Sequence, residues 1–79
     1  MMHIEVIGQY EVVLEAYPTL SSTAWTSYLT IYRGRAAAYK STLVLQRQAV
    51  AGTQEFRSKE QAIEMARFYA ARKIAKGKF

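Results

Sequence analysis

The C-terminal third of the chain carries the start and stop signals of one helix, and this feature constrains the fold most. Residues 58 to 61 read Ser-Lys-Glu-Gln and match a capping box, in which the first side chain accepts a hydrogen bond from the last amide and the last side chain reaches back. Gly77 offers a C-terminal stop, and the cations before it suit the negative end of the helix dipole. The sequence therefore predicts a helix from Lys59 to about Lys76.

One face of this helix is suited to packing on a sheet. On a period of 3.6 residues the stripe consists of Ile63, Ala66, Ala70 and Ile74, flanked by Ala62 and Tyr69. Small side chains in such a stripe let a helix lie close to its neighbour. The helix is therefore expected to pack on strands from the rest of the chain.

Three segments before the helix alternate with a period of two, as strands do. Residues 3–17 form the first, with Gly8 expected at a bend or bulge and Pro18 ending it. Residues 25–33 form the second and residues 41–49 the third, which has the short apolar side of an edge strand. The prediction is one α+β domain over the whole chain, in which a three-stranded antiparallel sheet, with room for a fourth short strand, packs under the helix in two layers.

The composition argues against an enzyme. The chain has no cysteine, no aspartate and one histidine, His3, so nucleophilic triads and metal sites lack their usual groups. We expect no cofactor and no metal. The sequence also shows no signal-peptide pattern and no apolar run long enough for a membrane span, so a cytoplasmic protein without a membrane partner is expected.

Basic charge is confined to the second part of the chain. All eleven Lys and Arg residues lie between Arg33 and Lys78, whereas the first 32 residues contain three glutamates and no basic residue. Such asymmetry indicates contact with a polyanion. Two clusters stand out, one in the turn from Arg33 to Lys40 and one at the helix end from Arg67 to Lys78. The helix dipole explains part of the second cluster.

The sheet face turned away from the helix is a candidate site. If Leu29 and Ile31 face the helix, the opposite face carries a set of polar and aromatic side chains: Tyr17, Thr26, Tyr28, Thr30, Tyr32, Gln46 and Gln48. Tyrosines can stack on bases while arginines hold phosphates, as in single-strand binders. The alternative is that these residues only support a half-solvated sheet. Glu11 and Glu15 fall on the same face, where they would repel a phosphate.

Two apolar residues of the predicted helix lie away from the sheet-facing stripe. Met65 and Phe68 fall well round the helix from Ile63, so they are expected to be exposed or covered by another surface. An apolar patch in such a place indicates a partner interface. The alternative is that the N-terminal segment or Phe79 folds over them.

Residues 56–62, Phe-Arg-Ser-Lys-Glu-Gln-Ala, carry a resemblance to known proteins. The phrase resembles the helix start of small bacterial β-β-β-α proteins of unknown function. It also looks like that of the arm-type DNA-binding domain of tyrosine recombinases, which is similar to plant AP2 domains. The resemblance covers roughly residues 25–76. The recombinase likeness implies that strand residues contact DNA, whereas the unknown-function group implies no activity.

The sequence thus favours a small basic binding domain that contacts nucleic acid. The candidate residues for this role are Arg33, Arg35, Lys40, Tyr28, Tyr32, Arg47, Arg72, Lys73 and Lys76. The alternative is a protein-interaction module or homodimer that uses the sheet face or the Met65 and Phe68 patch.

Overall fold

The computed structural model describes residues 1–20, 23–34, 42–50, 55–77 and 79, which form a four-stranded antiparallel sheet and one helix. In chain order the elements are β1 (Met2–Ile7), β2 (Tyr10–Pro18), β3 (Trp25–Arg33), β4 (Thr42–Ala49) and α1 (Lys59–Lys76). The strands lie in sequence order across the sheet. The α+β class, the C-terminal helix and a fourth strand are confirmed.

The N-terminal segment is a hairpin, so the prediction of one strand over residues 3–17 is wrong. Gly8 and Gln9 form a two-residue turn between Ile7 and Tyr10, which are paired across β1 and β2. Gly8 takes a φ of 61°, and tight hairpin turns require a positive φ at that position. Gly8 therefore reverses the chain, where a bend had been expected.

The two central strands place their apolar residues on one side of the sheet. Leu14 pairs with Leu29 and Val12 with Ile31, and all four side chains are fully buried under the helix. The residues that alternate with these four along β2 and β3 lie on the other side of the sheet and point away from α1. We call that side the outer face. The predicted alternation of β2 and β3 is thus confirmed.

The helix begins and ends with the predicted caps. The Ser58 hydroxyl accepts a hydrogen bond from the Gln61 amide at 3.1 Å. The Gln61 side chain reaches back one residue further than a standard capping box, accepting from the Arg57 amide at 2.8 Å. At the other end Gly77 is left-handed, with a φ of 67°, and its amide donates to carbonyls in the last turn.

The helix lies on β2 and β3 through small side chains. Ala62, Ala66 and Ala70 are fully buried, so the helix backbone can approach the sheet closely. The buried Ser27 hydroxyl donates to the Ala62 carbonyl at 2.7 Å and fixes the start of the helix against β3. Met65 packs against the same core, so the prediction that it lies away from the sheet is wrong.

The edge strand β4 does not alternate regularly, which changes the faces predicted for it. Its register against β3 shifts twice, between Leu29 and Ile31 and again between Ile31 and Tyr32. Gln48 therefore lies opposite Leu29 on the helix side, whereas it was predicted on the outer face. Arg47, predicted on the apolar side with Leu43 and Leu45, contacts Tyr28 on the outer face. An irregular strand puts an extra residue between paired positions and so reverses the later side chains.

The close helix contact predicts which alanines tolerate enlargement. Ala66→Leu should lower the free energy of unfolding by about 1–3 kcal/mol, because the added atoms overpack a filled interface. The control is Ala71→Leu on the exposed side of the same helix, which should leave stability nearly unchanged. Urea unfolding followed by circular dichroism measures both, and equal stability of the two variants would contradict this packing.

Candidate nucleic-acid interface

The outer face of the sheet brings three tyrosines and two glutamates together. Glu15 lies opposite Tyr28, Glu11 opposite Tyr32, and Tyr17 opposite Thr26. Tyr17 and Tyr28 have ring centroids 6.2 Å apart. The predicted placement of these tyrosines and glutamates on one face is confirmed.

Glu15 is the centre of a hydrogen-bonded cluster on this face. Its side chain is buried, the Tyr17 hydroxyl donates to it at 2.7 Å, and Arg47 Nε donates to it at 2.9 Å. Burial raises the pKa of this carboxyl, but the hydrogen bonds from Tyr17 and Arg47, together with the charge of Arg47, more than offset the burial and hold the pKa below its ordinary value. The cluster therefore keeps an ionised carboxylate on the outer face.

Arg47 and Tyr28 are committed to the same cluster. The Arg47 guanidinium lies over the Tyr28 ring, 4.1 Å from its centroid, while its Nε holds Glu15. Arg47 is thus already engaged with one face of the Tyr28 ring and with the Glu15 carboxylate. A phosphate at this position would have to displace Glu15 from Arg47, and a base would have to displace Arg47 from Tyr28. Binding of nucleic acid at the centre of the outer face would therefore have to break both contacts.

A second group of cations lies where the helix ends. The hydrogen bond from Ser27 fixes Ala62 near the start of β3. From Ser27 to Arg33 the strand is roughly 20 Å long, and from Ala62 to Lys76 the helix has about the same length. At the far end Tyr10 stacks with Phe79, at 5.4 Å, and Arg33 lies over Tyr10, at 5.9 Å. The end of β3 and the end of α1 therefore meet at one end of the molecule.

We call this region the basic end; its described members are Arg33, Arg72, Lys73 and Lys76. Arg33 pairs with Tyr10, which belongs to the helix side of the sheet, so it lies apart from Tyr28 and Tyr32. The sequence had grouped all three. Within the described parts of the chain, none of the four cations forms an ion pair with a carboxylate. Arg35 and Lys40, the other candidates from this turn, lie outside the described residues.

The helix contribution to the basic end forms a shallow groove. Its lining is Tyr69, Arg72, Lys73 and Lys76. Beside it Phe68 is half exposed, packs edge-on against Tyr69 with centroids 5.8 Å apart, and has Arg72 over its ring at 5.5 Å. Cations and aromatic rings are thus adjacent here. Phe68 is exposed as expected, but its neighbours are cations instead of an apolar patch with Met65.

Arg67, included in the basic helix cluster from sequence, is neutralised by two glutamates. Its Nε donates to both Glu5 oxygens at 2.8 and 3.0 Å, and its guanidinium also binds Glu64. The hydrogen bond from Arg67 lowers the pKa of Glu5, and the two glutamates raise the pKa of Arg67. Glu64 lies three residues before Arg67 on the same helix, so this contact can be predicted from the sequence spacing. Glu5 is 62 residues away in sequence, and no local signal identifies it.

Comparison with known proteins does not add to this geometry. No protein-family model matches the chain, and neither the curated proteins nor the solved structures provide a match. The resemblance of residues 56–62 to recombinase DNA-binding domains therefore stays a prediction.

The described residues also bear on metal sites and membrane-spanning segments. They contain no group of three or more His, Cys, Asp or Glu side chains that could hold a metal ion. In the same ranges no helix combines the length and hydropathy of a membrane-spanning segment.

The Glu15 cluster predicts a pH-dependent contribution to stability. Arg47→Met should lower the free energy of unfolding at pH 7 by about 1–2 kcal/mol, because it leaves a buried carboxylate with one partner fewer. Since the folded pKa of Glu15 is depressed, this contribution is present above the unfolded value near 4.5 and is lost as the pH falls through the folded pKa. The difference between wild type and variant should therefore shrink in acid.

Arg57→Met is the matched control, because it removes an exposed arginine that has no ion pair in the described ranges. It should have little effect at any pH. Thermal unfolding between pH 3 and pH 7 compares the variants. A loss that is the same for both, or that does not change with pH, would contradict the role of Arg47.

Proposed function

We propose that this protein binds single-stranded nucleic acid through its basic end. The observation that carries the proposal is the meeting of four cations without a carboxylate partner among the described residues, Arg33, Arg72, Lys73 and Lys76, at the end of α1 and β3. Arg47 and Arg67, by contrast, are bound to glutamates. Four unpaired cations thus lie together in one region, whereas Arg57 and Lys59, which also lack a carboxylate partner in the described ranges, lie at the other end of the helix.

The groove offers the two contacts that a single strand needs. The Lys73, Lys76 and Arg72 side chains can follow the phosphates, and Phe68 and Tyr69 present rings beside them. Stacking on aromatic rings tolerates any base, so binding of this kind shows little sequence preference. The proposed aromatic partners are thus helix residues, whereas the sequence indicated Tyr28 and Tyr32.

The C-terminal end of a helix repels an anion. The local electrostatic potential therefore depends on the balance between the helix dipole and the cations. The helix dipole places about half a negative charge at the C-terminus. Gly77 reduces this effect, because its amide bonds the carbonyls of Lys73 and Ile74. Three cations of the groove and Arg33 outweigh the remaining partial charge, so the local field favours phosphate.

A titration with labelled oligonucleotides tests the proposal. Single-stranded DNA and RNA should bind at low salt and weaken as salt rises, because neutralised phosphates release counterions. Double-stranded DNA of the same length should bind less tightly, because its bases are not free to stack. Absence of single-strand binding at low salt would contradict the proposed function.

A charge-matched pair of double variants locates the site. Arg72→Gln with Lys76→Gln should weaken binding and reduce the slope of log affinity against log salt by about 1.4, the value for two phosphate contacts on a single strand. Arg57→Gln with Lys59→Gln removes the same charge at the other end of the helix and should leave affinity and slope nearly unchanged. Equal losses in the two double variants would show a general charge effect and overturn the assignment to the basic end.

A further inference from the structure

Within the described parts of the chain, the edge strand β1 pairs only with β2, so its other side points away from the rest of the sheet. The Met1 amine donates to the Ala16 carbonyl at 2.8 Å, and the Ala16 amide donates to the Met1 carbonyl at 3.0 Å. Such a doubly bonded pair alternates with non-bonded pairs along an antiparallel ladder. The odd residues of β1 therefore bond to β2, and the even residues, Met2, Ile4 and Val6, direct their amides and carbonyls to the open side.

The side chains of these even residues are also largely exposed. Met2 is 62% exposed, and Ile4 and Val6 are each 50% exposed on the outer face. Edge strands are usually protected by lysine, proline, a bulge or an inward charge. β1 has no lysine, arginine or proline and pairs with β2 without a register shift. Its inward charge, Glu5, is held by Arg67.

We propose that two copies of this chain associate by antiparallel pairing of β1 with β1, about a two-fold axis at Ile4. In this register Ile4 lies opposite Ile4 of the partner subunit, and Met2 lies opposite Val6 of the partner subunit. On the helix side His3 lies opposite Glu5 of the partner subunit. Every pair on the outer face is apolar with apolar. On the helix side His3, which contacts Glu5 of its own chain at 3.1 Å, faces a second glutamate, so no pair sets like charges opposite each other.

The pairing uses the free backbone groups as well. Ile4 and its copy form a hydrogen-bonded pair, as do Met2 and Val6 in both directions. The result is one eight-stranded sheet with both helices on the same side. The two basic ends stay accessible, so this association does not depend on nucleic-acid binding.

The opposite edge of the sheet is less suited to such pairing. β4 has two register shifts against β3, and a shifted strand presents its backbone groups irregularly. It also carries Arg47 on the outer face. A second copy is therefore expected on β1 and not on β4.

Cysteine cross-linking tests the register directly, because the chain has no cysteine of its own. Two copies of Ile4→Cys would meet at a Cα separation of about 5.5 Å, within the range of a disulfide. Oxidation should give covalent dimers. A mixture of Met2→Cys and Val6→Cys should give mixed dimers in preference to dimers of either variant. Leu43→Cys, equally exposed on β4 at 49%, should stay mostly uncrosslinked.

Cross-linking of Ile4→Cys no faster than that of Leu43→Cys would overturn the proposed pairing. So would dimers of Met2→Cys or Val6→Cys alone that outnumber the mixed dimer, because they require another register.

Light scattering over a range of concentrations tests the association without a cross-link. The wild type should show a monomer-dimer equilibrium, because a six-residue edge forms only a small interface. Ile4→Lys should be monomeric, since it places like charges opposite each other. Leu43→Lys should dimerise as the wild type does, and circular dichroism should show that both variants are folded. A wild type that is monomeric at all concentrations, or a Leu43→Lys variant that alone loses the dimer, would overturn the proposal.

Discussion

The structure depends on one constraint, namely that a single helix has to cover a four-stranded sheet. An α-helix is about 10 Å wide with its side chains, whereas four strands span roughly 19 Å. The helix packs on the two central strands, where Ala62, Ala66 and Ala70 meet the buried side chains of β2 and β3. Among residues 1–20, 23–34, 42–50, 55–77 and 79, no second layer covers the other side of the sheet or either of its edges. These three regions, the outer face and the two sheet edges, therefore have to be filled by other side chains or remain exposed.

The uncovered regions differ in how far side chains of the chain itself fill them. On the outer face Glu15 is buried by Tyr17, Tyr28 and Arg47, so the centre of this face is occupied by its own cluster. None of the described residues covers the β1 edge in this way. The same helix placement carries the last cations of the chain to the end of β3, beside Arg33 and Tyr10. Among the described cations, Arg47 and Arg67 are bound to glutamates, whereas the four members of the basic end meet without a carboxylate partner in the described ranges.

The parts of the fold set by local chemistry were predictable. The Ser58 cap, the Gly77 stop and the period of β2 and β3 each follow from neighbouring residues, and the structure confirms them. The β1 turn was missed because glycine fits both a bulge and a hairpin, and only pairing between strands distinguishes the two. The position of Arg47 on the outer face was not predicted, because the alternation of apolar and polar residues does not reveal the register shifts in β4. The Glu5 contact of Arg67 joins distant parts of the chain, so no spacing rule reveals it.

We propose that nucleic acid contacts the basic end and not the outer face. The most direct measurement is a titration of the ¹⁵N-labelled protein with a short single-stranded oligonucleotide, in which amide shifts are mapped residue by residue. We expect the largest changes at Arg33, Gly34 and the last turn of α1 from Lys73 to Gly77, with little change at Val13 and Thr30. Largest changes at Tyr17, Tyr28 and Tyr32, with the last turn of the helix unaffected, would contradict this proposal.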